Sequence, residues 1–201
     1  KVNFLSFLAP GMALMFLMFT VTNGGRTLLV ERNQGTLSRL LVTPTTTGQV
    51  LAGKVVGIYL TGVVQMLILI AGTSLLFSLH WGDSLGVFIL VLAAVAGATG
   101  WGLILAALAR TPGQVSSIGF ALVLLFGILG GSFFSTQGLP QIVQIFAHIS
   151  PNAWGMDAFT TLALGGNLVN ILTPVLALLI MGAVLFGVAI IVLHKRGFEN
   201  A

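Results

Sequence analysis

The polar stretch NGGRTLLVERNQGTLSRLLVTPTTTGQVLAGK, residues 23–54, is the feature around which the rest of the sequence is arranged. It contains four of the eight Lys and Arg residues of the chain and a single acid, Glu31. Apolar runs long enough to cross a bilayer, which takes roughly 20 residues, lie on both sides of it. A basic loop between two such runs is typical of the cytoplasmic face of a membrane protein.

The composition indicates the same class of protein. Of the 201 residues, 57% are hydrophobic and only 6% are charged. A soluble domain carries about 25% charged residues, so this chain could not cover a water-facing surface. The net charge of +4 does not indicate nucleic acid as a partner, because the basic residues stand at the ends of apolar runs instead of in one patch. The sequence therefore predicts an integral membrane protein in contact with the lipid bilayer.

Five apolar segments predict an all-α protein with five transmembrane helices, at residues 4–22, 50–79, 85–108, 115–134 and 175–193. Except for Lys1, every Lys and Arg follows the first, third or fifth span, whereas the segments after the second and fourth hold Asp83 and Asp157 and no basic residue. The positive-inside rule then predicts an N-terminus outside and a C-terminus in the cytoplasm. One transmembrane domain, residues 1–201, is expected, with a cytoplasmic loop at 23–49.

Two further segments have helical character but are too short to span. Apolar residues at i, i+3 and i+4 from Leu37 to Leu41, ahead of Pro44, predict a short amphipathic helix in the cytoplasmic loop. A helix lying on the membrane and a docking helix for a partner both fit this pattern. Residues 136–166 predict two short helices broken at Pro151, a re-entrant hairpin in the outer leaflet. A plain periplasmic loop is the alternative.

The sequence offers no catalytic, cofactor or metal site. Residues 48–54 fit the G-x-x-x-x-G-K part of a phosphate-binding loop, but Val55 stands where that motif needs Ser or Thr for magnesium. Ser132 has no histidine within a span to serve as its base. The three histidines are not at metal-ligand spacing, and the chain has no cysteine. The chain itself is therefore not expected to be an enzyme.

Small residues recur at helical spacing and predict close helix packing, either inside the bundle or at a subunit interface. Packing inside the bundle is the favoured interpretation. The residues concerned are Gly53 and Gly57, then Ala94, Ala98, Gly102 and Ala106, then Gly127 and Gly131.

In two motifs the sequence resembles the membrane subunit of type 2 ABC transporters. Residues 31–44, ERNQGTLSRLLVTP, are similar to the family's cytoplasmic E-x-x-x-G-T-x-x-x-L-x-x-[ST]-P segment, with Ser38 where members often carry Glu. Residues 150–162, SPNAWGMDAFTTL, resemble its outer motif before the last span. The order and spacing of the two motifs agree with the family, and the resemblance runs over essentially the whole chain.

The resemblance implies a six-span exporter permease in the plasma (inner) membrane of a prokaryote, with one span and further sequence preceding Lys1. It implies two partners, a second permease subunit in a homo- or heterodimer and a cytoplasmic ABC ATPase subunit that holds the ATP and magnesium. The alternative is a non-transporting membrane scaffold or sensor that docks a cytoplasmic partner. The residues implied for ATPase coupling are Glu31, Arg32, Gly35, Thr36, Leu37, Arg39, Leu40 and Pro44, and those implied for an outer gate are Pro151, Trp154, Asp157 and Phe159.

Overall fold

The computed structural model describes residues 4–34, 47–134 and 140–195, which form helices and no strands. Five of the helices in these ranges are long and apolar enough to cross a membrane, which confirms the all-α class with five spans. We number the helices in chain order. They are α1 (Phe4–Asn33), α2 (Thr47–Phe77), α3 (Ser84–Leu108), α4 (Pro112–Leu129), the short α5 (Gln141–Ala147) and α6 (Pro151–Ala163), a 3-10 turn (Leu168–Ile171), and α7 (Leu172–Lys195).

Helix α3 lies at the centre of the bundle. In the most apolar 18-residue window of each spanning segment, 72% of the residues are buried for α3. The buried share is 17% for α2 and 22% for the segment Leu168–Leu193, which contains most of α7. It packs most extensively against α7 and next against α1. The outer faces of α2, α4 and α7 carry exposed aliphatic and aromatic side chains such as Leu60, Phe120 and Ile180, as surfaces in contact with lipid do.

The helix starts are set by local capping. The Asp83 carboxylate accepts a hydrogen bond from the Gly86 N–H at 2.9 Å and caps α3. Thr111 and Ser150 cap α4 and α6 in the same way, and in both cases a proline follows at the first helical position. Proline is favoured there because its missing N–H has no partner within the helix in any case. These caps give α4 and α6 defined starts after short connections.

Helix α1 extends further than the sequence predicted. Residues 23–33 were expected in the polar loop, yet α1 continues through Asn23 and Gly24 to Asn33. Tertiary packing explains the difference, because Gly25 lies against the backbone of α3, where a Cβ would be 2.5 Å from the Gly102 carbonyl oxygen. With 30 residues, α1 is about 45 Å long, which exceeds the hydrocarbon thickness of a bilayer.

The other boundaries shift by less. Helix α4 ends at Leu129 instead of residue 134, because Gly131 takes a φ of +79°, a left-handed conformation that ends the helix. Helix α7 begins at Leu172, ahead of Pro174, which the first turn of a helix accommodates.

The small residues of α2 and those of α3 differ in their surroundings. On α3 the residues Ala94, Ala98, Gly102 and Ala106 are all buried, so packing inside the bundle explains them. A Cβ added at Gly53 or Gly57 of α2 would meet nothing within 4 Å. The prediction of internal packing is therefore wrong for these two glycines, which face open space.

Candidate functional site

The two ends of the bundle differ in charge. The end of α1, the start of α2, the α3–α4 turn and the end of α7 lie together because the long helices alternate in direction. Of the residues whose side chains the structure describes, the Lys and Arg residues are Arg26, Lys54 and Arg110, and all three lie toward this end, which we call the basic end. The opposite end, which we call the outer end, carries Asp83 and Asp157.

An ion pair joins two helices at the basic end. The Lys54 ammonium donates a hydrogen bond to Glu31 Oε1 at 2.6 Å. Glu31 lies in the last turn of α1, and Lys54 lies in the second turn of α2. The two side chains are 28% and 36% exposed. The pair therefore links the end of α1 to the start of α2, the two helices that precede and follow residues 35–46.

The other residues predicted for ATPase coupling lie in or beside that segment. Arg32 belongs to the last turn of α1. Gly35, Thr36, Leu37, Arg39, Leu40 and Pro44 lie outside the described residues, so the amphipathic helix predicted for them stays a prediction.

The glycine-rich segment before Lys54 has no phosphate-binding geometry. Residues 48–54 form the continuous first turns of α2, and the Lys54 ammonium contacts a carboxylate. A phosphate-binding loop instead turns its backbone N–H groups toward an anion between a strand and a helix.

At the outer end, α6 is inserted into the bundle. It packs against α1, α3 and α7, and eight of its thirteen residues are buried. Pro151 lies buried at its first position, and Phe159, only 1% exposed, stacks edge-on against Trp81 at a centroid distance of 5.2 Å. Non-spanning helices within a membrane protein are tolerated where they pack on protein, as α6 does. Its depth in the bilayer stays a prediction.

The remaining two gate candidates form a cluster with His148. The Trp154 indole N–H donates to the His148 carbonyl oxygen at 2.8 Å, and the two rings stack edge-on at 4.5 Å. His148 Nε2 lies 2.8 Å from an Asp157 carboxylate oxygen, and its Nδ1 lies 2.7 Å from the Gln144 carbonyl oxygen. Each ring nitrogen of His148 therefore lies within hydrogen-bond distance of an oxygen atom. This cluster joins α5 to α6 across the break at Pro151.

Ser132 lies in a buried polar contact at the same end. The Asn152 amide donates to Ser132 Oγ at 3.2 Å, and both residues are 1% exposed. The hydrogen-bond partner of Ser132 in the described part of the chain is thus an asparagine, which cannot act as the base of a serine nucleophile. The contact fixes the start of α6 against the turn that follows α4.

Within the described ranges no three His, Asp or Glu side chains come together in a way that could hold a metal ion. Hydroxyl groups within the spans bond mainly inside their own helices, as Thr61 does to the Gly57 carbonyl oxygen. The Thr73 hydroxyl likewise donates to the Leu69 carbonyl oxygen at 2.7 Å, and it also accepts from the Trp81 indole N–H at 3.2 Å.

The model of the family described as "ABC-2 family transporter protein" matches residues 1–191. The chain belongs to the ABC-2 transporter family. The described residues of this ABC-2 chain form a bundle with five candidate spanning helices, in which side-chain hydrogen bonds between helices lie mainly near the two ends.

Several ABC-2 relatives carry names that describe their function. The chain is 31% identical over 179 residues to the linearmycin resistance permease protein LnrN of Bacillus subtilis, a match that covers 89% of this chain and 46% of that protein. It is 25% identical over 185 residues to the probable multidrug ABC transporter permease YbhS of Escherichia coli K12, covering 90% of this chain and 48% of that protein.

A third relative is the probable multidrug ABC transporter permease YbhR of Escherichia coli K12, 29% identical over 122 residues, or 60% of this chain and 33% of that protein. The ABC-2 chain thus spans about half the length, or less, of the relatives that it matches. No solved structure matches it at a significant level.

The polar contacts of this ABC-2 chain were not predicted from its sequence. Glu31 and Lys54 are 23 positions apart, and Ser132 and Asn152 are 20 apart, so only the packing of the helices reveals the pairs. One signal was available for the first pair, because Glu31 is the single acid in a basic stretch. The helix dipole disfavours an acid near the C-terminal end of a helix, so a nearby cation stabilises it.

Proposed function

We propose that this chain is the permease subunit of an ABC exporter, forming the transmembrane pathway together with a second permease subunit, identical or different. A separate cytoplasmic ATPase subunit would bind and hydrolyse ATP with magnesium. The family match over residues 1–191 carries this proposal. Two relatives named as resistance or multidrug permeases support export as the direction of transport. An apolar or amphipathic substrate fits spans without a central charge.

The membrane is proposed to be the plasma (inner) membrane of a prokaryote, with the basic end in the cytoplasm. The distribution of Arg26, Lys54 and Arg110 supports this orientation, because basic residues are enriched in cytoplasmic segments. The same orientation places residues 35–46 where a cytoplasmic ATPase can reach them.

The ATPase is proposed to contact residues 32–44 and to act on α1 and α2 through them. Glu31 then serves mainly as a positioning residue, because its carboxylate is held by Lys54 at 2.6 Å. Movement of this segment would be passed to both helices, since each continues directly from one of its ends. Coupling of this kind requires an element with two arrangements that both sites influence.

The outer helices α5 and α6 are proposed to gate the exit of substrate. Pro151 and Phe159 anchor α6 in the bundle, whereas Trp154 and Asp157 hold α5 through His148. Helix α5 is the more exposed of the two, with Ile142, Ile145 and Phe146 all more than half exposed. An anchored α6 carrying an exposed α5 would allow α5 to move without unfolding the bundle.

Co-purification tests the proposal. The protein is tagged, extracted gently and analysed for a bound soluble ATPase. Gly35→Arg places a bulky charge in the proposed contact, and Gly113→Arg is the matched control, because Gly113 is exposed at the same end of the bundle and has space around it.

We expect the ATPase to remain with the wild type and with Gly113→Arg and to be lost from Gly35→Arg. If no ATPase accompanies the wild type under several mild extraction conditions, the transporter assignment is wrong and a scaffold role takes its place. If Gly35→Arg retains the ATPase, the contact lies elsewhere.

A further inference from the structure

A cleft of about 650 Å³ opens at the basic end between α3, α4 and α7. Its walls are mainly apolar, with Trp101 and Leu105 from α3, Ile118 and Leu122 from α4, and Leu185 from α7. Ile118 is 48% exposed, so the wall it contributes faces the surroundings of the bundle. An apolar cleft on the lipid-facing side of a spanning helix is suited to a hydrocarbon chain.

The rim of this cleft carries a cation without an acidic partner in the described part of the chain. Arg110 lies exposed in the α3–α4 turn and lines the cleft together with Gln114. The carboxylates of the described residues are engaged elsewhere. Glu31 accepts a hydrogen bond from Lys54. At the outer end, Asp83 caps α3, and Asp157 contacts His148.

The turn also holds the rim in a defined shape. The Arg110 backbone N–H donates to Gln114 Oε1 at 2.8 Å, and the Thr111 hydroxyl accepts from the Gln114 N–H at 3.2 Å. The Arg110 guanidinium is therefore carried on an ordered turn directly above apolar walls. Guanidinium groups bind phosphate through paired charge-assisted hydrogen bonds.

A second cleft at the outer end shows that this combination is not general. It is of similar size, about 720 Å³, and is lined by Ser74, Ser78 and His80 among apolar residues. Its lining includes neither Lys nor Arg. Of these two clefts, the one at the basic end has both apolar walls and a permanent positive charge.

We propose that the α3–α4–α7 cleft binds one anionic phospholipid of the surrounding bilayer, with its phosphate on the Arg110 guanidinium and an acyl chain against Trp101, Ile118 and Leu122. Charge complementarity favours an anionic headgroup over a zwitterionic one, because a basic residue at the membrane surface attracts acidic lipids. The bilayer supplies this ligand at high local concentration. The site depends on insertion of the chain in a membrane and not on the proposed transport.

Trp101 makes the site measurable, because lipids with brominated acyl chains quench the fluorescence of a tryptophan that they contact. The full-length protein is reconstituted into vesicles of phosphatidylcholine and phosphatidylglycerol in which either one or the other lipid is brominated. The same measurement on Trp101→Phe is subtracted in each background, which isolates the Trp101 signal from that of other tryptophans. The ratio of the two quenching constants gives the preference for the anionic lipid.

Arg110→Gln is the test variant. Arg26→Gln is its matched control, since Arg26 is an exposed arginine toward the same end that does not line the cleft. Arg110→Lys keeps the charge. We expect an approximately fivefold preference for phosphatidylglycerol at Trp101 in the wild type, the usual effect of one basic residue at an anionic surface.

The preference should persist in Arg26→Gln, persist at least in part in Arg110→Lys, and fall to about one in Arg110→Gln. The proposal is overturned if the wild type shows no preference or if Arg110→Gln retains it. It is also overturned if Arg26→Gln loses as much as Arg110→Gln, because general surface attraction then explains the effect.

Discussion

The Glu31–Lys54 pair responds differently to the loss of each partner, because its acid lies at an unfavourable place. Glu31 is in the last turn of α1, where the free carbonyl groups carry a partial negative charge. An acid there costs about 0.3–1 kcal/mol. The Lys54 ammonium, 2.6 Å from Glu31 Oε1, offsets this cost. Neutralising Lys54 therefore leaves an acid on an unfavourable helix end, whereas neutralising Glu31 removes the acid as well as the pair.

The structure gives the size of the difference. The side chains are 28% and 36% exposed, so solvent screens the pair and its contribution is about 1 kcal/mol. We expect Lys54→Gln to lower the free energy of unfolding by about 1 kcal/mol and Glu31→Gln by about half as much. For a chain of this size the first corresponds to a fall of roughly 2–4 °C in Tm. The exchanged double variant, Glu31→Lys with Lys54→Glu, should recover at least the wild-type value, because it restores the pair and places a cation, which is favoured there, at the end of α1.

The assay combines two readouts on each purified variant. Thermal unfolding, followed by the loss of the monodisperse peak in size-exclusion chromatography, measures stability. Co-purification measures retention of the ATPase. If the pair acts by positioning residues 35–46, the exchanged variant recovers both readouts, and Gly35→Arg loses the ATPase without a fall in Tm.

Two results would refute this reasoning. Equal losses of Tm for Lys54→Gln and Glu31→Gln would show that the end of α1 does not disfavour the acid. Recovery of Tm without recovery of ATPase retention in the exchanged variant would show that Glu31 contacts the ATPase directly, and its positioning role would be wrong.

Two further predictions concern packing. Gly102→Val should destabilise the bundle by about 2 kcal/mol, because a Cβ there would lie 2.5 Å from the Val21 carbonyl oxygen. Gly53→Val is the control, because a Cβ at Gly53 would meet nothing within 4 Å, and it should change stability by less than about 0.5 kcal/mol. Both variants are measured in the same size-exclusion assay. Phe159→Ala should cost about 3 kcal/mol by removing a buried ring that stacks on Trp81, and a Tm unchanged from wild type would show that α6 is not anchored there.

The spanning helices could be predicted because their signal is local. A run of about 20 apolar residues has few structural alternatives in a bilayer, where every backbone polar group must be bonded internally. The break between the short helices was equally local. Ser150 caps α6 with its hydroxyl, and Pro151 occupies the first position, a pair that is recognisable in the sequence.

What the sequence missed depends on contacts between helices. Residues 23–33 contain Asn, Gly and charged residues, which predicted a loop, yet Gly25 packs on the α3 backbone and the helix continues. Gly53 and Gly57 have the same spacing as the buried small residues of α3 but face open space. Spacing identifies a face of small residues, and only the arrangement of neighbouring helices decides whether that face is covered.

Among the spanning helices in the described ranges, α2 has the smallest buried share. Only 17% of its most apolar window is buried, whereas α3 is held between α1 and α7. Hydrogen bonds link α2 to other elements near both of its ends, where Lys54 donates to Glu31 and Thr73 accepts from the Trp81 indole N–H. Between them, the Tyr59 hydroxyl donates to the Leu92 carbonyl oxygen. Segments with few buried contacts have low local stability, and the elements that move in a conformational change are commonly drawn from them. If an ATPase acts on residues 35–46 as proposed above, we expect α2 to move along α1 and α3 before the α3–α7 core is disturbed, and a second position of α2 would then supply the second arrangement that coupling requires.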